Sequence, residues 1–274
     1  MSASGLRTPL EKKVRLSDLH SAREQGTAMP MLTCYDFTTA AIMQSLGVPI
    51  LLTGDTAASV ILGHDSTTAA TLDFLIELTA AVRRGAQKAF VMGDMPFGSY
   101  HGDEGQAVDN VCRMVRETGC DSVKLEVADR QAPLVSRLSD AGVAVCCHLG
   151  LRPQSVQLYG YRAQARTPES AAKLVDTAKR FEEAGAASIL LEAVPAESGE
   201  RVADAVNVPV IGCGAGPAAM AHVVVLQDLL GLTGKRPRFV PALPEASLRE
   251  TIAAYADAVE SGAYPAPEHC YQME

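Results

Sequence analysis

Two apolar runs in this chain end on an acid. Residues 49–54 (PILLTG) lead into Asp55, and the run that starts at residue 89 (AFVMGD) ends on Asp94. Later runs carry Lys124 with Glu126, then His148, then Glu192. Asp55, Asp94 and Glu126 together form an all-oxygen donor set. Three crowded carboxylates repel one another unless a cation neutralises them. Hard oxygen donors with few histidines suit Mg²⁺ rather than zinc. Lys124 and Glu126 are two apart, so on a strand both face the same side. If these strand ends meet at one mouth, acid, base and amine groups converge there.

Each residue also has a structural reading. A strand-end Asp often caps the next helix, and Asp55 before Thr56 could do that. Lys124 and Glu126 could form a simple ion pair, His148 could be a hydrogen-bonded core histidine, and Glu192 a loop acid. Capping alone does not explain acid, base and amine groups recurring at corresponding positions. His64 and Asp65 in "LGHDST" read as a helix start capped by Asp65 or Ser66. His101 reads as a surface residue, and the helix dipole is sufficient to explain Arg83-Arg84 at a helix end.

Eight strands must position these groups: 31–35, 49–54, 89–94, 122–126, 143–148, 188–193, 208–213 and 222–227. All are near-continuously apolar, as strands covered on both faces should be. Helices are expected over 36–46, 71–85, 103–118, 129–141, 168–184 and 197–206, and a last amphipathic one over 245–261. Several end in Gly before the next strand, the usual helix stop. Pro168 after Thr167 marks a start. The expected fold is α/β, a single (β/α)₈ barrel over residues 1–274, with a helical N-terminal segment at about 1–27 and a helical tail at about 236–274. An open doubly wound sheet is the alternative. "GCGAG" at 212–216 lacks the full dinucleotide-binding spacing.

Composition narrows the function. Net charge is −8, from 24 basic and 32 acidic residues, and the basic ones are scattered, so no nucleic-acid partner is expected. Seven cysteines without a CxxC pair suggest reduced thiols and a cytoplasmic location. No apolar run approaches the ~20 residues of a membrane span.

The strings "GDTAASVILGHDST", "GDMPFGSY", "VKLE", "HLGLRPQSV", "LLEAVP", "PVIGCGAG" and "VESGAYPAPEH" resemble, in order and spacing, the ketopantoate hydroxymethyltransferase family. The likeness covers about residues 28–270. It implies a barrel of the phosphoenolpyruvate mutase/isocitrate lyase type and a homo-oligomer, decameric in that family. It also implies Mg²⁺-dependent transfer of a one-carbon unit from 5,10-methylenetetrahydrofolate to a 2-oxo acid. Matched motif by motif, Asp55, Asp94 and Glu126 correspond to metal ligands. Asp55, Thr56, Asp94 and Lys124 correspond to substrate contacts, and Glu192 to the proton acceptor. His148 corresponds to an active-site histidine of open role.

The chain departs from the family where "GDSLGM" is usual and "GDTAAS" stands here. After "PQSV" it has "YGYRAQAR", with Arg162 for Lys and Ala165 for Gly. Small side chains at 57–59 are expected to reshape the pocket wall and admit a related 2-oxo acid, larger or more polar. The alternatives are a carbon–carbon or phosphorus–carbon lyase or mutase of the same superfamily, and a non-catalytic metal-binding barrel.

Overall fold

The computed structural model describes residues 6–274. The strands are β1 Met29–Thr33, β2 Ile50–Thr53, β3 Phe90–Asp94, β4 Ser122–Glu126, β5 Val145–Gly150, β6 Ser188–Glu192, β7 Val210–Cys213 and β8 Ala221–Val224. They pair in parallel and in sequence order, and β8 returns to β1 through the Met29↔Ala221 register, closing the barrel. The open sheet is thereby excluded. Almost every strand residue is buried, because side chains fill the interior and helices cover the outside.

The helices are α1 Leu16–Gln25, α2 Phe37–Ser45, α3 Ala57–Val60, α4 Leu72–Gly85, α5 Glu104–Thr118, α6 Ala132–Asp140, α7 Val156–Tyr159, α8 Pro168–Glu183, α9 Ala196–Ala205, α10 Leu226–Leu229 and α11 Leu248–Glu260. Their ends follow local chemistry. Thr71, Asp103 and Thr167 each accept a backbone N–H as N-caps. Pro133, which has no N–H to donate, sits in the first turn of α6, and the preceding 129–131 form a 3₁₀ turn instead of the continuous helix expected from 129.

The expected boundaries move at both ends of the chain. The N-terminal helical segment reduces to α1, and residues 1–5 lie outside those described. Val14 N–H donates to Lys88 O at 2.7 Å, which ties the segment before α1 to the start of β3. β1 lies two residues earlier than expected because Met29 and Pro30 pair with β8. The last apolar run divides into β8 and α10, with Leu226 N–H donating to Thr33 Oγ1 at 3.1 Å. In the tail, α11 is anchored where Tyr255 Oη donates to His222 O at 2.6 Å.

Arg83 does more than answer a helix dipole. It donates to Ala86 O, Ala89 O and Asp121 Oδ2, and Asp121 also accepts from Lys13 and from Val91 N–H. Ser66 caps a 3₁₀ turn, and His101 is exposed, as expected. All seven cysteines are free. No helix among the described residues is long and apolar enough to cross a membrane.

Candidate active site

The C-terminal ends of the strands surround a cavity of about 50 Å³, lined by Asp55, Thr56, Asp94, Lys124, Glu126, His148 and Glu192 among others. Every candidate residue from the sequence therefore reaches one place. Asp55, Asp94, Lys124, Glu126 and His148 are each at most 4% exposed. Ionised groups that deep need partners.

The structural alternative of a Lys124–Glu126 ion pair gives way to a cross-strand one. Lys124 Nζ lies 2.8 Å from Asp94 Oδ1, its register neighbour on β3, although the approach is off the line of a hydrogen bond. Asp94 Oδ2 accepts from Asp55 N–H at 2.9 Å. Burial would lower the Lys124 pKa, yet Asp94, Asp55 and Glu126 hold it well above its ordinary value. Lys124 is therefore an ammonium among the acids.

Burial shifts the other groups the opposite way. It pushes Asp94 up to about 7, against the pull of Lys124, and raises Glu126 well above the carboxylate range. Glu192 is pushed up to about 8 by burial, with Lys124 opposing and Asp55 adding to the rise. Burial, then Lys124 and Arg152, keep His148 well below its usual pKa, so its ring is neutral. Lys124 Nζ is 3.4 Å from His148 Nδ1 and has only protons to offer, so Nδ1 accepts. The ring proton then belongs on Nε2, which faces Glu192 Oε2 at 3.4 Å.

Glu192 is fixed from behind. Its carbonyl accepts from Leu151 N–H at 2.8 Å, and a Cβ on Gly150 would come within 2.4 Å of that carbonyl. Gly150 adopts φ +87°, which needs glycine as well. The residue after the acid, Ala193, sits at φ +48°, a strained conformation for a side-chain-bearing residue.

Sequence reasoning gave no role to three residues that organise this site. Gln154, in the quoted "PQSV", is buried; its Nε2 donates to Asp55 Oδ2 at 2.9 Å and to Met95 O at 3.0 Å. Its backbone N–H donates to Glu126 Oε2 at 3.0 Å. Tyr100, the last residue of "GDMPFGSY", donates to Gln154 Oε1 at 2.8 Å. Tyr35 Oη and Thr56 Oγ1 are 2.6 Å apart, so the Thr56 hydroxyl is already engaged.

The donor set is of the kind that suits a hard divalent cation. Glu126 Oε1 is buried without a hydrogen-bond donor, and such an orphaned acceptor is costly unless a cation or water meets it; Asp94 Oδ1 already faces the Lys124 ammonium. Among the described residues, however, no three His, Cys, Asp or Glu side chains are already gathered in ligand geometry. The expected three-carboxylate cluster is thus one cavity wall with Lys124 among the acids, rather than a preformed cage.

The small residues at 57–59 do not themselves line the inner cavity. Ala57 and Ala58 are fully buried and border neither the inner cavity nor the chamber outside it. Ser59 lines that outer chamber of about 600 Å³. Of the altered residues 56–59, only Thr56 borders the inner cavity.

A closed parallel barrel with its ionisable groups at the C-terminal strand ends is the arrangement of (β/α)₈-barrel enzymes. Solved structures agree on the fold. The chain is similar to 2,3-dimethylmalate lyase, a phosphoenolpyruvate mutase/isocitrate lyase superfamily member (TM-score 0.56, 16% identity, 76% of this chain and 80% of that one). It is also similar to phosphoenolpyruvate phosphomutase from Streptomyces platensis (TM-score 0.61, 12% identity, 79% and 82%). Sequence similarity then selects within the class: residues 13–267 match the model of ketopantoate hydroxymethyltransferase. The chain belongs to that family, and it is an enzyme, a hydroxymethyltransferase. One relative, 3-methyl-2-oxobutanoate hydroxymethyltransferase of Thermobifida fusca, is 43% identical over 263 residues, covering 95% of this chain and 94% of its own.

Proposed function

We propose that the chain moves the methylene of 5,10-methylenetetrahydrofolate onto C3 of 3-methyl-2-oxobutanoate or a 2-oxo acid of similar size. The carrying observation is a free carboxylate, Glu192, beside a small buried cavity whose other walls are Asp55, Asp94 and Lys124. The 43% identity to a 3-methyl-2-oxobutanoate enzyme supports that acid.

Lys124 supplies a fixed positive charge for the acid's oxygens, and Asp55 and Thr56 form the turn that meets them. Asp55, Asp94 and Glu126 would hold Mg²⁺, which when bound supplies Lewis-acid stabilisation of developing negative charge on the keto oxygen. Glu192 accepts the proton from C3, a contribution of typically ~10²–10⁴-fold for a positioned base. His148, neutral, stands beside the base, its Nε2 3.4 Å from Glu192 Oε2 with no hydrogen bond between them. The C3–H electron pair then forms the new carbon–carbon bond to the folate methylene. One water is consumed overall to supply the hydroxyl, and tetrahydrofolate leaves.

The test is C3 deuterium exchange in D₂O without folate, across a panel of 2-oxo acids, with Mg²⁺ and with chelator. Fastest exchange on 3-methyl-2-oxobutanoate, lost with chelator, is expected. Exchange on no acid would overturn the reading in favour of a lyase or a non-catalytic barrel.

A further inference from the structure

The inner cavity holds about 50 Å³, too little for anything beyond a small acid, yet the transfer needs a second, much larger substrate. The outer chamber, about 600 Å³, falls in the range of sites for molecules of that size. It shares Thr56, Pro153, Glu192, Cys213 and Val225 with the inner cavity, so the two are continuous and a group in the chamber reaches Glu192 directly. Its lining includes three aromatic side chains, Tyr161, Phe239 and Tyr271.

Charge gives the chamber its polarity. Arg162, Lys235 and Arg236 line it, all three exposed, and none makes an ion pair among the described residues. Three exposed cations without ion pairs in one chamber lining are unexpected in a chain of net charge −8. One acid of the lining, Asp228, accepts a hydrogen bond from Thr233 and feels the charge of Arg236, so it cancels only part of the excess. The complement of such a chamber is a flat aromatic body with several carboxylates at one end.

Resting on the proposed transfer, we infer that this chamber seats the folate, its rings among Tyr161, Phe239 and Tyr271 and its glutamate carboxylates on Arg162, Lys235 and Arg236. The rings then lie on the Glu192 side, where the methylene is needed, and the tail runs to solvent. Ser59 brings the altered "GDTAAS" loop to the folate side, and Thr56 of the same loop borders both spaces.

The experiment measures binding of tetrahydrofolate mono- and pentaglutamate by calorimetry, so it needs no turnover. The parent protein should bind the pentaglutamate more tightly. In the double variant Lys235→Ala/Arg236→Ala the pentaglutamate Kd should rise roughly five- to thirtyfold, the weight of two exposed ion pairs, with a smaller change for the monoglutamate. The charge-keeping variant Lys235→Arg/Arg236→Lys should bind like the parent, and thermal unfolding checks that both variants fold. Equal pentaglutamate binding in the parent and the alanine variant, or no folate binding by the parent, overturns the assignment. Deuterium exchange on the keto acid separates the two claims: if exchange persists while folate binding ignores the substitutions, the chamber assignment fails and the keto-acid chemistry stands.

Discussion

Gln154→Leu removes the side chain that ties three strand-end loops together. Its Nε2 donates to the buried Asp55 carboxylate and to Met95 O, and its Oε1 receives Tyr100 Oη. The bond to Asp55 is charge-assisted, so its loss should cost ~1.5–3 kcal/mol, and each neutral partner left without a bond adds ~1 kcal/mol. Tyr100 retains Glu126 O as an acceptor, which leaves Met95 O as the neutral group most affected. The sum is roughly 3 kcal/mol. At ~2–4 °C per kcal/mol for a domain of this size, Tm should fall by about 6–12 °C. Asp55 would also lose its aim into the cavity, so keto-acid exchange should slow by at least about tenfold in protein that is still folded. Differential scanning calorimetry and exchange measured 15 °C below the new Tm separate the two effects. A variant with parental Tm would refute the hydrogen-bond reasoning. One with lowered Tm but parental exchange would show that Gln154 holds the fold and not the site.

Ala165 stands at φ +52° where the family usually has glycine. Ala165→Gly relieves a left-handed strain of ~1–2 kcal/mol but adds ~0.5–1 kcal/mol of unfolded-chain entropy, so Tm should rise by a degree or more. A fall would mean that the conformation costs the chain nothing. Glu192→Gln should also stabilise, in a pH-dependent way. An acid whose folded pKa is raised from 4.5 to about 8 contributes fully below 4.5 and loses that contribution as pH rises through 8. The Tm advantage of the Gln variant should therefore grow between pH 5 and pH 9 in metal-free buffer. A constant difference across that range would contradict the burial of Glu192. Since only ionised Glu192 accepts a proton, Lys124→Met, which removes an opposing cation, should move the rising limb of any residual exchange to higher pH. An unmoved limb would detach Lys124 from Glu192.

The barrel was legible because parallel strands covered on both faces leave unbroken apolar runs, and because glycine stops the helices between them. The strand-end acids were legible for the same reason: Asp55, Asp94 and Glu192 interrupt or end runs that otherwise hold no charge. What could not be read was which partner each buried group takes. Lys124 pairs with Asp94, 30 residues away and in register on the neighbouring strand, rather than with Glu126 two residues on. Gln154 meets Asp55 across 99 residues, a contact that exists only once the barrel closes. Nor does a string such as "GDTAAS" show that Ala57 and Ala58 face the core and only Ser59 a chamber. Arg83 likewise looked like a helix-end charge until folding brought Asp121 beside it.

The account stands on Glu192 as the base at the barrel mouth. The direct measurement is C3 deuterium exchange of 3-methyl-2-oxobutanoate with Mg²⁺ in the parent protein and in Glu192→Gln, with keto-acid binding followed in parallel. The account predicts that Glu192→Gln binds the acid as the parent does and exchanges at least about a hundredfold more slowly, the scale of a lost general base. Parental exchange in Glu192→Gln would contradict it and move the base elsewhere in the cavity.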